Sequence, residues 1–500
     1  MNKVRYISAL CLLLCGIAAS AQTYEKVLSD NFWNASYNVA GARQDTISRS
    51  YAELYGEYFG GEFRDTWEAA EGWRAGAETA SIRHLKKISL TGSFSFEQKE
   101  GYGMCGSMFI DPGFYPIDVM EFTPGRNTLQ TYAFDGGISY DVRPHWRIGA
   151  KMDFESANMS KRKDLRHTNW RLDMSIAPGF MYHRDSWAFG AAAIFRKTSE
   201  SVDAEQVGIA ETSYFAFLDK GMMYGAYGVW TGSGLHLYES GVDGFPVKEF
   251  TGGIAAQMQH NGLFVEAAYL RSQGTVGEKE YIWFTFSGNE VTVDAGWKIS
   301  PEHRLRVNMG WKGIEMDESV LEKVTANGIT TVQNHGSNTI LTQGSWHVSP
   351  EYEHLRTDIG MEFRGGLDWN MQKSMTTQVY PYIYSQTLTD LSAYAGFLFR
   401  IRKFEYGVKG RYMQGWVAED GRLAETASGV QTEPFRLQEW YDRQMEYRTA
   451  ARFCAGIMVR YRFLKGIYIE AEGKTVKAFG LKYIDGRDRL IMTLKIGYEF

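Results

Sequence analysis

The sequence predicts an all-β protein, a transmembrane antiparallel up-and-down β-barrel of about 16 strands, roughly between 14 and 18, with a small N-terminal plug-like segment. Three observations lead there. Apolar and polar residues alternate with period two through most of the chain. The alternating segments are joined in turn by short polar hairpins and long connections. Aromatic side chains gather on the apolar face beside the short hairpins, as they do at a membrane interface. Composition agrees: 53 glycines and only 10 prolines in 500 residues suit long ladders. The 14 Trp, 30 Tyr and 29 Phe need an apolar medium to receive them. With 54 Lys+Arg against 59 Asp+Glu, a net of -5, no basic face for nucleic acid is implied.

From the N-terminus, residues 1–21 read as a secretory signal: Lys3 and Arg5, an apolar run from Ile7 to Ala18, then Ala19-Ser20-Ala21 as a cleavage site. Cys11 and Cys15 leave with it, and Cys105 and Cys454 are too far apart in sequence to make a metal motif. Residues 22–85 form a separate segment, a plug or extra staves: Phe63, Trp67, Ala70, Trp73 and Ala77 have helical spacing, whereas Tyr51, Tyr55 and Phe59 suit a strand. Residues 86–500 form the barrel proper. It opens on Ile88, Leu90, Phe94 and Phe96, and hairpins follow with turns at Arg143-Pro144, Arg184-Asp185, Asn261-Gly262, Ser300-Pro301, Arg402-Lys403 and Leu464–Gly466. A further hairpin is expected from Leu355–Trp369 into Thr376–Ser385. The last strand puts Leu490, Met492, Leu494, Ile496, Tyr498 and Phe500 on one face. The rings expected to form the girdle are Tyr140, Trp146, Tyr182, Trp187, Trp297, Trp369, Phe399, Phe404, Phe463, Tyr498 and Phe500. An even strand number places both termini in the periplasm and the long connections, 98–127, 198–246, 313–352 and 413–444, outside the cell.

The opposite face of the strands is charged with both signs. Arg306, Arg356, Asp358, Glu362, Arg364, Arg411, Arg452, Arg460, Glu470 and Glu472 are the expected lumen-lining set, and a tight turn at 464–466 would set Arg460 opposite Glu470. They either fill the lumen with ion pairs or line a polar pathway. Lys161, Arg162, Lys163, Arg166 and His167 form a basic run at an extracellular rim, an anion-binding group or a solvated loop. Asp164 beside His167 is the nearest hint of hydrolytic chemistry; neighbouring strand residues point to opposite faces, so no catalytic residue, metal or cofactor is assigned.

The run KRKDLRHTN (Lys161 to Asn169), the strand ending Ala177-Pro178-Gly179, the run DPGFYP (Asp111 to Pro116) and the Phe500 ending resemble an uncharacterised outer-membrane β-barrel family of the Bacteroidota type, over most of the mature chain. That resemblance implies an outer-membrane location and a terminal aromatic insertion signal, Phe500, read by the barrel-assembly machinery. It transfers no activity. The expected role is non-enzymatic: a passive pore or uptake channel for a small polar or amphipathic solute, or a closed barrel acting as a structural, accessory or surface-binding component. Outer-membrane lipid is the expected surrounding partner.

Overall fold

The computed structural model describes residues 24–44, 47–205, 214–223, 225–230, 244–279, 281–327, 329–356, 358–377, 383–420, 437–464 and 466–500; the expected signal lies outside them. Twenty strands follow in chain order: β1 (Arg49–Gly60), β2 (Glu71–His84), β3 (Ile88–Ser107), β4 (Asp118–Arg143), β5 (Trp146–Lys161), β6 (Arg166–Arg184), β7 (Trp187–Glu205), β8 (Tyr214–Asp219), β9 (Gly225–Trp230), β10 (Phe245–His260), β11 (Leu263–Glu278), β12 (Tyr281–Lys298), β13 (His303–Ala326), β14 (Ile329–Arg356), β15 (Met361–Thr376), β16 (Tyr384–Ile401), β17 (Phe404–Asp420), β18 (Arg452–Arg462), β19 (Ile467–Ala478) and β20 (Asp488–Glu499). Helix α1 (Tyr24–Asp30) precedes them and α2 (Leu437–Thr449) lies before β18. Each barrel strand pairs antiparallel with its neighbours, β7 pairs with β10, and β1 closes the sheet on β20. Hairpin β8–β9 stands outside this ring and pairs with the start of β4. The wall therefore has 18 strands, the twenty of the sheet less that hairpin.

The count reaches the top of the expected 14 to 18 because β1 and β2, the irregular stretch before residue 85 expected as a plug or extra staves, are staves of the wall. One hairpin was misplaced. The chain turns around residues 358–360, inside the run expected to be one strand from Leu355 to Trp369, and Thr376 faces Tyr384 at the opposite end. Trp369 consequently sits well along β15 and does not belong to the girdle beside the turns. The stretches expected as long connections at 98–127 and 313–352 are largely strand, because β3, β4, β13 and β14 run past the wall. The other turns fall where the sequence puts them. At Asn261-Gly262 both residues have positive φ, 45° and 85°, which a two-residue hairpin requires and which Asn and Gly tolerate best.

The outer surface is the apolar one. Along β20, Leu490, Met492, Leu494, Ile496 and Tyr498 all face outward and are exposed, as are Phe404, Tyr406, Val408 and Tyr412 on β17. In water such a belt would drive association; in a bilayer it is the surface a membrane barrel needs. Aromatic pairs mark the turn-bearing end: Trp146 with Tyr182 at 5.0 Å, Phe404 with Tyr461 at 4.7 Å, and Tyr498 with Phe500 at 5.4 Å. Phe500 exchanges both backbone hydrogen bonds with Ser50, at 2.9 Å each, which completes the closing seam.

Candidate functional site: a lumen closed at both ends

Charged residues of the inward strand face pair with one another. Arg460 lies opposite Glu470 in register and donates to its carboxylate at 2.6 Å, and it also reaches Glu405 at 3.5 Å. Glu362 accepts from Arg364 at 2.8 Å, Arg411 donates to Asp368 at 2.8 Å, and Glu472 is held between Lys409 at 2.5 Å and Lys474 at 3.1 Å. Removing a charge from water costs several kcal/mol, about what a close ion pair with further hydrogen bonds restores, so these ladders make a polar wall tolerable without fastening it strongly. Arg306 donates to the Ser29 carbonyl at 2.7 Å, and Arg452 lies 4.8 Å over the Tyr447 ring beneath α2. Arg356 and Asp358 do not line the lumen. They pair with each other at 2.8 Å, exposed, at the turn that the sequence reading ran through as strand.

At the turn end, residues 24–44 enter the lumen as a plug. The 3-10 turns Phe32–Asn34 and Val39–Gln44 bring Trp33 into complete burial against Phe264, Met181, Ala188 and Ala40. Gly41 is required there, since a Cβ would meet the Trp33 ring at 2.0 Å. Around that ring the fastenings are polar. The Trp33 indole N–H donates to Gln259 at 2.5 Å, and the Ser36 hydroxyl to Glu266 at 2.5 Å. Asn38 donates to the Phe180 carbonyl at 2.8 Å and to Gln257 at 3.0 Å. Arg43 pairs with Asp141, and Arg304 with Asp30.

At the loop end the closure is apolar. Residues 108–117, β8 and the segment after it lie inside the mouth. Met108, Phe109, Tyr115, Ile117 and Leu218 pack there on inward residues of the wall such as Val202, Phe245, Val276, Phe284, Met316 and Leu341. Helix α2 braces this lid through Leu437 and Tyr441, which pack with Met120 and Phe217. The inward face of the strands thus changes from charged to apolar near the lid, from Arg196 and Glu200 to Val202 and Ala204 along β7, and from Glu249 back to Val247 and Phe245 along β10.

Two carboxylates sit face to face in the lid. Asp118 and Asp219 are register partners on β4 and β8. Asp118 accepts from the Ser107 hydroxyl at 2.7 Å, and Asp219 from the Gly221 and Met223 amides at 2.8 and 3.0 Å. Burial raises both carboxyls, Asp118 well above the usual range with Asp219 adding to it, and Asp219 to about 7 against the pull of its two amides. Both face a polar cavity of about 170 Å³ that Gln343, Gln372, Ser374 and Gln386 also line.

The basic run at 161–167 is not one anion-binding patch. Lys161 is buried and pairs with Glu121, which burial pushes up to about 7, and it donates to the Thr123 carbonyl at 2.5 Å. Arg166 turns to Asp164 at 2.9 Å, and His167 is buried, its imidazole pushed down to about 3 by desolvation. Arg162 and Lys163 face solvent, and Arg166 is half-exposed. Asp164, committed to Arg166, does not orient His167. Among the described residues no three His, Cys, Asp or Glu side chains converge to hold a metal.

Between plug and lid lies a cavity of about 410 Å³, within the size range of small-molecule sites. Tyr37 of the plug and Phe114 of the lid line it from below and above, and wall residues of β4–β7 and β10–β13 make its sides.

These features define a class, a transmembrane β-barrel sealed at one end by a polar plug and at the other by an apolar lid. The chain belongs to a family of unknown function, DUF6850, whose model matches residues 39–500. No curated protein sequence matches it. Among solved structures it is similar to the ferric enterobactin receptor of Pseudomonas aeruginosa, at 8% identity and a TM-score of 0.43, covering 91% of this chain and 81% of that one. It is also similar to the siderophore receptor PiuA of Acinetobacter baumannii, at 9% identity and TM-score 0.41, over 90% and 82%. The copper transporter OprC stands at 8% identity and TM-score 0.40, over 91% and 80%. At these scores the likeness says nothing about cargo.

Proposed function

We propose that this protein is an outer-membrane uptake channel, shut at rest, with its short turns and both chain ends in the periplasm, inserted through its Phe500-ended strand. The observation that carries this reading is the pairing of two unlike closures around a charged, roomy lumen. A barrel serving only as a scaffold has no need of a cavity kept free between its seals. Polar fastenings exchange readily for water, so the plug is the closure a periplasmic event would release. The apolar lid opens outward only when something replaces its contacts. A passive pore, permanently open, does not fit two seals in series.

A second reading, a surface-binding barrel, is favoured by the β13–β14 hairpin. Beyond Glu318 and Leu341 it has no neighbouring strand on either side among the described residues, and most of residues 319–339 are exposed. Planar-bilayer recording separates the two. The intact barrel is expected to be silent. A variant lacking residues 24–44 and with 108–117 replaced by a short glycine-serine turn is expected to give stable current steps. Silence of that stripped, correctly folded barrel would favour the surface-binding reading.

A further inference from the structure

Outward-facing cations are costly on the wall of a membrane barrel unless the lipid supplies their counter-charge. On the outer face of β7, β10 and β11 three of them gather toward the loop end. The register sets Phe250 between Lys197 and Gln273, and Gly252 between Phe195 and Arg271, with Lys248 one pleat further along β10 between Ser199 and Thr275. Lys197, Lys248, Arg271 and Phe250 are all exposed, on the face that also carries Phe195, Ile254 and Tyr269. Lys197 and Arg271 lie two strands apart and two residues out of step, about 12 Å between Cα atoms, so both side chains can reach one phosphate.

The protein supplies little counter-charge here. Glu278 takes Lys248 at 2.9 Å. Among the described residues no carboxylate pairs with Lys197 or Arg271. The next outward acid on β7, Asp203, stands six residues beyond Lys197, about 20 Å away. Asp173 and Glu249, on the neighbouring strands, face the lumen on the other side of the wall.

Height on the wall is an independent observation. Trp187 stands in the aromatic girdle at the turn end, and Lys197 is ten residues further along the same strand. That is about 34 Å along β7 and, at a tilt of roughly 40°, about 26 Å along the membrane normal, against an apolar band about 25 Å tall. Phe195 and Phe250 close the belt there, and the cations stand at the far headgroup level. Directly below Phe250 the surface is notched: Gly252 has no side chain, and nothing lies within 4 Å of where a Cβ would stand.

We propose that this patch binds a phosphate-bearing glycolipid of the outer leaflet, the lipid anchor of lipopolysaccharide, with a phosphate between Lys197 and Arg271 and an acyl chain in the Gly252 notch. The inference rests on the outer-membrane, loops-outward part of the reading above and not on uptake. Hydrogen bonds from lysine and arginine to phosphate are charge-assisted, and they strengthen where water is scarce. A glycolipid is favoured over an ordinary phospholipid because the patch lies at the loop-side interface, and because Ser199, Gln273 and Thr275 flank the cations with hydroxyl and amide groups suited to sugar hydroxyls.

The test titrates the full mature chain, folded in detergent, with lipid A, with lipid A stripped of its phosphates, or with phosphatidylglycerol, and counts lipid-bound protein by native mass spectrometry. Lipid A is expected to bind one-to-one at the lowest concentration of the three. Lys197→Gln/Arg271→Gln is expected to weaken it by about tenfold or more, and Lys197→Arg/Arg271→Lys to restore it. Gly252→Leu, which fills the notch with every charge in place, is expected to weaken it too. Lys373→Gln/Lys477→Gln, which removes two exposed cations elsewhere on the wall, is expected to leave binding unchanged, and heat-modifiable mobility checks that each variant is a folded barrel. Equal binding by the double Gln variant, equal binding of the dephosphorylated lipid, or phosphatidylglycerol bound as tightly with the same dependence on Lys197 and Arg271 would overturn the proposal. A silent stripped barrel that still binds lipid A would remove uptake and leave this site; current steps without lipid A binding would overturn the site and leave the channel.

Discussion

Replacing Trp33 by alanine should loosen the plug without touching the wall. The Trp33 ring is fully buried, 5.3 Å from Phe264 in an edge-on pair, and its N–H is bonded to Gln259. Truncating a buried tryptophan costs about 3–5 kcal/mol, and each 1.4 kcal/mol or so is a tenfold change in an equilibrium, so the plug-out population should rise by about two to three and a half powers of ten. Hydrogen exchange followed by mass spectrometry reads this directly, because local opening exposes the amides of the opened unit alone. The amides to follow are well protected in the parent. Trp33 N–H donates to Asn31 Oδ1 at 3.1 Å, Asn38 N–H to the Ser36 hydroxyl at 2.9 Å, and Ala40 N–H to Asn38 Oδ1 at 3.1 Å. Exchange in residues 31–41 should accelerate by that factor while β10 and β11 keep their protection. A change of less than tenfold, or acceleration spread over the wall strands, would refute the idea that residues 24–44 are a separately releasable closure.

Other outcomes follow from the same contacts. Gly41→Ala should release the plug in the same assay, because its methyl group would overlap the Trp33 ring. Arg460→Ala removes the close partner of Glu470 and leaves it Lys495 at 4.0 Å, while Glu405 keeps Arg400 and Arg462, so stability should fall by about 2 kcal/mol in urea unfolding from liposomes, with Arg460→Lys recovering part of it. The lid should loosen as pH rises. Carboxyls raised on folding bind protons that the unfolded chain has released, so the stabilisation from protonated Asp118 and Asp219 is complete below about pH 4 and is lost as pH rises through the folded value, about 7 for Asp219. Exchange of β8 amides, corrected for intrinsic rate, should therefore quicken from pH 5 to pH 8, and Asp219→Asn should flatten that dependence. Deleting Phe500 removes both hydrogen bonds to Ser50 and should reduce the amount of heat-modifiable, membrane-inserted barrel in cells.

The wall was legible because a strand between lipid and water must alternate, and one misplaced residue inverts a whole stave. That is why the register of Arg460 with Glu470 could be read from the turn at 464–466. It is also why running a strand through the turn after Arg356 put Arg356 and Asp358 in the lumen by mistake. β1 and β2 were harder, because their outward positions carry small residues such as Ala52, Gly56, Ala75 and Ala77, which give weak contrast. The sequence reading expected a plug or extra staves in residues 22–85 without its contacts, and the lid escaped it, for a different reason. Trp33, Phe114 and Tyr115 lie in irregular segments without periodicity, and their partners are brought close only by ring closure. Lys197, Phe250 and Arg271 were visible one by one; their adjacency needs the pairing of β10 with β7 and β11.

The central claim is that one face of each stave meets lipid while the other encloses a lumen cut off from bulk water at both ends. Single nitroxide labels placed one at a time from 489 to 498 on β20, in liposomes, test both parts together by their collision rates with oxygen and with a water-soluble nickel chelate. Oxygen access should peak at Leu490, Met492, Leu494, Ile496 and Tyr498, and labels at Thr493 and Lys495, whose side chains reach Glu57 and Glu53 inside, should be poorly accessible to both reagents. Equal access to the chelate on both faces, or oxygen access without a two-residue period, would contradict the account.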